Sequence, residues 1–395
     1  MDRLANKFTL MLAVVCTAGL IGCQSHSMTT ASAPEPQPVA KAPAPGPAQP
    51  EFASPSPSTD PSTAPTAIRP TASRISLWGD LPGQTTGAPT DASDNLRQVS
   101  FAREGSDFDA DIDPTGQYLV FASTRHRPTA DLYIKTIDGQ TTTQFTADPG
   151  RDVMPKFSPD GKSIAYASDR AGNWDIYIKR LEGGQPIQVT NDPAQELHPS
   201  WSPDGTQLVF SALGSNSGQW EMVVVDIDQP AKRRFIGFGL FPVFSPDGKK
   251  IAFQRARFRG TRTFSVWTVD YADGEGVRPT EIAAATNAAV INPAWSPDGK
   301  RLAFTTVVNP PSDPNERPRI ADLWAINLDG TGRVKLTNDR YANTQPIWSR
   351  DGRVFFISNR NGFENIWALR PTSGLMVERT MDKDTPAPTA SVPTE

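Results

Sequence analysis

Phe157-Ser158-Pro159-Asp160-Gly161, followed by Lys162-Ser163-Ile164-Ala165-Tyr166-Ala167-Ser168, is the stretch on which the fold turns. Ser-Pro-Asp-Gly has the grammar of a type I turn: proline pre-sets the backbone at the second position and glycine takes the left-handed conformation after it. The flanks alternate aromatic and branched residues, as strands on a packed surface do. The phrase returns at 201–205, 244–248 and 295–299, again at 348–352 with arginine in place of proline, and in degenerate form as Ile112-Asp113-Pro114-Thr115-Gly116. Its glycines fall at 116, 161, 205, 248, 299 and 352, so six units of 43 to 53 residues follow one another.

A third strand follows the turn-flanked pair, as in Asp131-Leu132-Tyr133-Ile134, Asp175-Ile176-Tyr177-Ile178, Asp322-Leu323-Trp324-Ala325 and Asn365-Ile366-Trp367-Ala368. A fourth reads Ile187-Gln188-Val189-Thr190 or Val334-Lys335-Leu336-Thr337. Four short strands per unit with no helical period between them is the pattern of a propeller blade. The last unit stops after its third strand, near Arg370, and Leu96-Arg97-Gln98-Val99-Ser100 has the form of the missing fourth. The sequence therefore predicts an all-β, six-bladed β-propeller over 94–372, four antiparallel strands per blade, closed by an N-terminal strand. Such closure removes the free sheet edges that invite aggregation.

The ends obey different rules. Arg3 and Lys7 precede an apolar run from Phe8 to Gly22, the layout of an export signal too short to span a membrane comfortably. It ends Leu20-Ile21-Gly22-Cys23, which resembles the bacterial lipobox; the resemblance implies a signal peptide over 1–22 and lipidation of Cys23. Gln24 after that cysteine implies the periplasmic side of the outer membrane rather than the inner one. From 23 to 93 the chain is rich in Pro, Ala, Ser and Thr, with twelve prolines between 31 and 70, and reads as a disordered tether. Such a tether spans about 45 Å as a coil and about 200 Å as polyproline II. The Pro- and Thr-rich stretch 373–395 reads as a disordered tail.

Composition narrows the function classes. Lys plus Arg, 39, nearly balances Asp plus Glu, 43, which argues against nucleic acid as a partner. Of the two cysteines, Cys16 falls in the export signal and Cys23 is the expected lipidated residue, which excludes a disulfide framework and a multi-cysteine zinc site. Of three histidines, His26 lies in the tether, leaving His126 and His198, too few for a three-histidine metal centre. No Gly-x-Ser-x-Gly nucleophile elbow occurs.

The turn phrase, with Ser168-Asp169-Arg170-Ala171-Gly172-Asn173, Asp175-Ile176-Tyr177 and Val189-Thr190-Asn191-Asp192, resembles the repeat of TolB-like six-bladed propellers over about residues 95 to 372. The resemblance implies a non-catalytic binding propeller engaging an envelope protein or peptidoglycan-associated partner. TolB proper carries a small α/β domain ahead of its propeller; here the Pro-rich tether stands in that place. Metal-dependent pectin-fragment lyases resemble this repeat class too, but need a histidine-rich metal centre. The rival readings are a propeller that binds a peptide or oligosaccharide in its channel, and an enzyme that cleaves a glycan there with paired carboxylates.

Candidate site residues come from what varies while the repeat stays constant. Asp160, Asp204, Asp247, Asp298 and Asp351 recur in nearly every blade and read as turn residues, and Arg125, Arg170 and Arg360 as hairpin pins. By contrast Asp109, Met154, His198, Phe241, Asn292 and Gln345 open the innermost strands and are all different, as a recognition ring at the channel mouth would be. The connections on the face opposite the turns are longest in blades four and five. Blade four places Arg255, Arg257, Arg259 and Arg262 there, a basic rim that Lys232, Arg233 and Arg234 are expected to extend. No metal ligand set or cofactor is expected; a calcium ion in the channel is left open. A lipid-anchored monomer is the expected state.

Overall fold

The computed structural model describes residues 96–256, 263–311, 318–337 and 340–371. The signal, the tether with Cys23, the tail, and three of the four rim arginines, Arg257, Arg259 and Arg262, lie outside the described residues. Within them the chain forms six four-stranded antiparallel sheets, each in simple sequence order except one. That one is the closure: Arg97–Gln98 pairs with Asn365–Leu369, Arg97 opposite Ala368 and Gln98 opposite Trp367. The likeness of 96–100 to a fourth strand extends to its hydrogen bonds. Ser100 Oγ accepts from the Ile366 amide at 2.9 Å, as Thr190 Oγ1 does from Ile176 and Thr337 Oγ1 from Leu323. The ring is thus locked by a side chain that blades elsewhere take from their own fourth strand.

Each turn is built as its residue types dictate. Ser158 Oγ donates to Asp160 Oδ1 at 2.5 Å, Asp160 Oδ1 accepts the Lys162 amide, and the Gly161 amide closes onto the Ser158 carbonyl. In the degenerate first copy Asp113 replaces the serine and accepts from the Thr115, Gln117 and Tyr118 amides. The turn glycines have φ of 66–83°, where a side chain is strained. The turns also interlock around the ring: a Cβ on Gly205 would lie 3.7 Å from Pro159 of the preceding blade, and one on Gly248 3.4 Å from Pro203.

Between blades the alternate residues of the strands form the core. Tyr166, Phe121, Phe210, Phe304, Phe355 and Phe356 are fully buried, and cutting such a ring back to alanine costs about 3–5 kcal/mol. Trp201 and Trp295 bind the preceding blade through their indole N–H groups, at 3.0 Å from the Lys156 and Val243 carbonyls. The outermost strands of blades three and four, Gln229–Phe238 and Glu275–Ala283, are much longer than the two- or three-residue outer strands of the other blades.

Candidate functional site: the channel mouth

The six innermost strands are Asp107–Ile112, Asp152–Phe157, Glu196–Trp201, Leu240–Phe244, Ala288–Trp295 and Asn343–Trp348. In each, the register against the second strand slips within the strand, so an extra residue bulges out of the ladder. At each bulge a non-glycine residue takes the left-handed conformation: Asp109, Met154, His198, Phe241, Asn292 and Gln345, with φ between 47° and 59°. These are the six residues that vary where their neighbours repeat. The conformation disfavours each by about 1–2 kcal/mol, and strain of this kind is found where a side chain must be aimed. Proline follows five of the six, at Pro155, Pro199, Pro242, Pro293 and Pro346. It suits a bulge because it brings no N–H for the broken ladder to satisfy.

Four of the ring amides are accepted by side chains of the preceding blade. The Asp109 amide donates to Gln345 Oε1 at 3.2 Å, and Gln345 Nε2 donates to Asp109 Oδ1 at 2.7 Å. The Gln345 amide donates to Thr305 Oγ1, the Asn292 amide to Gln254 Oε1 and the His198 amide to Met154 Sδ. All six residues line one cavity of about 80 Å³, whose walls also include the five prolines, Lys156, Val243 and Ile347.

Burial sets the electrostatics of this cavity. It pushes the Asp109 carboxyl up to about 6, against the Gln345 hydrogen bond, the Lys156 charge and the nearby Met154 amide, and with repulsion from Glu364. It drives the His198 imidazole down to about 3, aided by Lys156, so the ring is neutral at physiological pH. That imidazole lies against Phe241, ring centroids 3.6 Å apart. Lys156 is paired with Asp111 at 3.1 Å, and Asp111 also accepts the Phe157 amide. Among the described residues no group of three His, Cys, Asp or Glu side chains is placed to hold a metal ion. His126 lies against Tyr133, away from the channel.

Around the mouth, arginines fasten the second strand of a blade to the start of its first. Arg125 meets Asp107 at 2.7 Å over the rings of Phe121 and Tyr133; Arg170 meets Asp152 at 2.9 Å over Tyr177; Arg360 meets Asn343 at 2.9 Å over Trp367. Blade three lacks this arginine, and Arg233 from its outer strand replaces it. Arg233 pairs with Glu196 at 2.6 Å and Asp192 at 2.5 Å, over Phe210. Arg234 is held by Asp226. The expectation that these two extend a free basic rim is therefore corrected: their charges are spent inside blade three. Arg255 is exposed, its guanidinium 5.8 Å from the Trp267 ring centroid.

The same face carries a feature that the sequence reading missed. Phe101, Val308, Ile320, Tyr341 and Phe363 are exposed large apolar residues; Val308 ends the strand Arg301–Val308 and the other four stand on the connections opposite the turns, in blades five, six and one. Tyr341 and Ile320 flank the backbone bridge between Ala321 and Ala342. Their signal in the sequence was weak, since each is a single apolar residue in a polar connection.

Comparison with known proteins agrees with this architecture. The family described as "TolB beta propeller domain" matches residues 91–236 and 239–393. The "Tol-Pal system protein TolB" of Anaeromyxobacter dehalogenans (strain 2CP-C) is 30% identical over 141 residues, 35% of this chain and 29% of that protein. The chain spans less than a third of the length of the curated relatives it matches. A solved structure described as a TolB of Agrobacterium tumefaciens superposes with a TM-score of 0.52 at 20% identity, covering 70% of this chain and 97% of that one. The tricorn protease superposes with a TM-score of 0.51 at 18% identity, over 70% of this chain and 25% of its own. These two likenesses are of fold alone. The chain belongs to the TolB beta propeller domain family.

Proposed function

We propose that this protein is a non-catalytic binding propeller, lipid-anchored through Cys23 on the periplasmic side of the outer membrane. It engages an envelope protein or peptidoglycan-associated partner through the face opposite its Ser-Pro-Asp-Gly turns. The observation that carries this reading is the ring of six chemically different, left-handed residues aimed into one cavity. The exposed apolar residues at Phe101, Val308, Ile320, Tyr341 and Phe363 lie on the same face, in blades five, six and one, and supply area a docked protein would cover. Arg255, with Arg257, Arg259 and Arg262, would steer an acidic partner toward that face. The match to a Tol-Pal system protein supports an envelope role.

The test is capture from detergent-solubilised envelopes on the immobilised full chain. Paired Tyr341→Asp and Phe363→Asp substitutions should abolish capture with little change in melting temperature, since both side chains are exposed and Tyr341 gives up a surface contact with the Arg360 guanidinium. Retained capture would place the interface elsewhere. Reversing Arg255, Arg257 and Arg259 to Glu should weaken an acidic partner severalfold and flatten its salt dependence. A second reading, a peptide or oligosaccharide bound in the channel, draws on the cavity itself. Saturable binding of cell-wall fragments, with no protein captured, would favour it.

A further inference from the structure

The channel contains polar atoms that the ring does not satisfy. Oδ2 of Asp109 and both ring nitrogens of His198 have no hydrogen-bond partner among the described residues, although Asp109 is only 7% exposed and His198 5%. Both residues line the same cavity. The other oxygen of Asp109 is already occupied by Gln345 Nε2. Lys156, the cation of this cavity, is engaged by Asp111. A neutral imidazole offers one acceptor and one donor nitrogen, so the unmet atoms are mainly acceptors. Each of these atoms is buried from solvent in the cavity wall, which Met154, Phe241 and the prolines share.

We propose that the channel mouth is a socket for a primary ammonium on an apolar stem, a lysine side chain or a free amino terminus presented by the docked protein. This rests on the binding reading above and names the group that the ring would recognise. The stem packs against Met154 and Phe241. The ammonium donates to Asp109 Oδ2 and to the acceptor nitrogen of His198. An ammonium is a compact charge with three rotatable donors, whereas a guanidinium presents a planar fork suited to both oxygens of a carboxylate. With one oxygen of Asp109 held by Gln345, the fork has no matching pair. A carboxylate guest would face Asp109 and Glu364, and would have to compete with Asp111 for Lys156.

The charged groups around Asp109 are Lys156 and Glu364, with Asp111 behind Lys156; His198 adds no charge. An incoming ammonium selects the ionised carboxylate. With the Asp109 carboxyl near 6 in the free protein, that form dominates at pH 7.5 and is about a tenth of the population at pH 5. Affinity should therefore rise with pH through this window and be about tenfold weaker at pH 5.

The experiment is an NMR titration of the full chain, labelled at methionine methyls and histidine rings, with the Met154 methyl and His198 ring signals assigned by substitution. The probes are Nα-acetyl-lysine N-methylamide for the side-chain source, leucyl-alanine amide for the amino-terminal source, and Nα-acetyl-norleucine N-methylamide as the uncharged stem. At least one amine probe should shift both signals saturably at pH 7.5, about tenfold more tightly than the norleucine probe. That advantage should be lost in Asp109→Asn and reduced about tenfold at pH 5. If Asp109→Asn disturbs folding, the pH comparison on the unaltered protein carries the same test. Equal binding of the norleucine probe, or no saturable shift with either amine, would overturn the proposal. Capture of an envelope partner alongside silent amine probes would remove the socket and leave the docking face standing.

Discussion

Glu196 opens the innermost strand of blade three with its side chain wholly buried beside Arg233. Burial pushes its carboxyl up to about 7, against the Thr190 hydrogen bond and the Arg233 charge, and it likewise raises Asp109 to about 6. Where folded-state values lie above those of the unfolded chain, the native protein binds more protons than the unfolded one. Stability from these groups is then full below about pH 4.5 and declines as pH rises through about 7. Glu196→Gln should keep an amide oxygen toward Arg233 while removing this titration. The fall in melting temperature between pH 5 and pH 8 should become shallower in the variant, by an amount on the order of 2 kcal/mol in unfolding free energy. An unchanged slope would mean that Glu196 is ionised at little cost. The ring residues themselves were legible in the sequence because Asp109, Met154, His198, Phe241, Asn292 and Gln345 differ where their neighbours repeat. Their left-handed backbone was not, since nothing in a Met or Phe announces positive φ. The proline after five of them was the available sign, being tolerated inside a strand mainly where the ladder is already broken.

At the scale of elements, the closing strand carries the largest consequence. Val99 packs into the core between blades six and one and Leu96 into the core between blades five and six, and Ser100 is bonded to Asn365. Deleting 96–100 should leave the edge at Asn365–Leu369 bare and cause loss of cooperative unfolding, or aggregation, in thermal denaturation followed by circular dichroism. Deleting 24–71 should leave the transition intact. Equal transitions for the two truncations would contradict closure by this strand. Turns and inner strands were readable because the turn phrase, Ser-Pro-Asp-Gly in four copies and a variant of it in two, and its alternating flanks are local chemistry. The outer strands Gln229–Phe238 and Glu275–Ala283 were not readable. They are mostly exposed, so no alternation marks them, and Lys232-Arg233-Arg234 looks like a solvated loop. Only the fold brings Arg233 to Glu196, thirty-seven positions earlier in the chain.

For the whole molecule, the proposed function makes the ring and a lipid anchor at Cys23 separate devices. Cys23→Ser should release the protein from washed membranes at high salt without altering its melting temperature, because the anchor is joined to the ring through a long Pro-rich tether. Retention of the variant on membranes would reveal a second anchor. On the proposed function, partners meet the face opposite the turns, around the channel mouth. The most direct measurement places a photo-crosslinking residue at Phe363 on that face or at Thr206 on the turn face, and irradiates living cells that produce the full chain. A discrete crosslinked partner should form from Phe363 and none from Thr206. Crosslinks from Thr206 alone would contradict it.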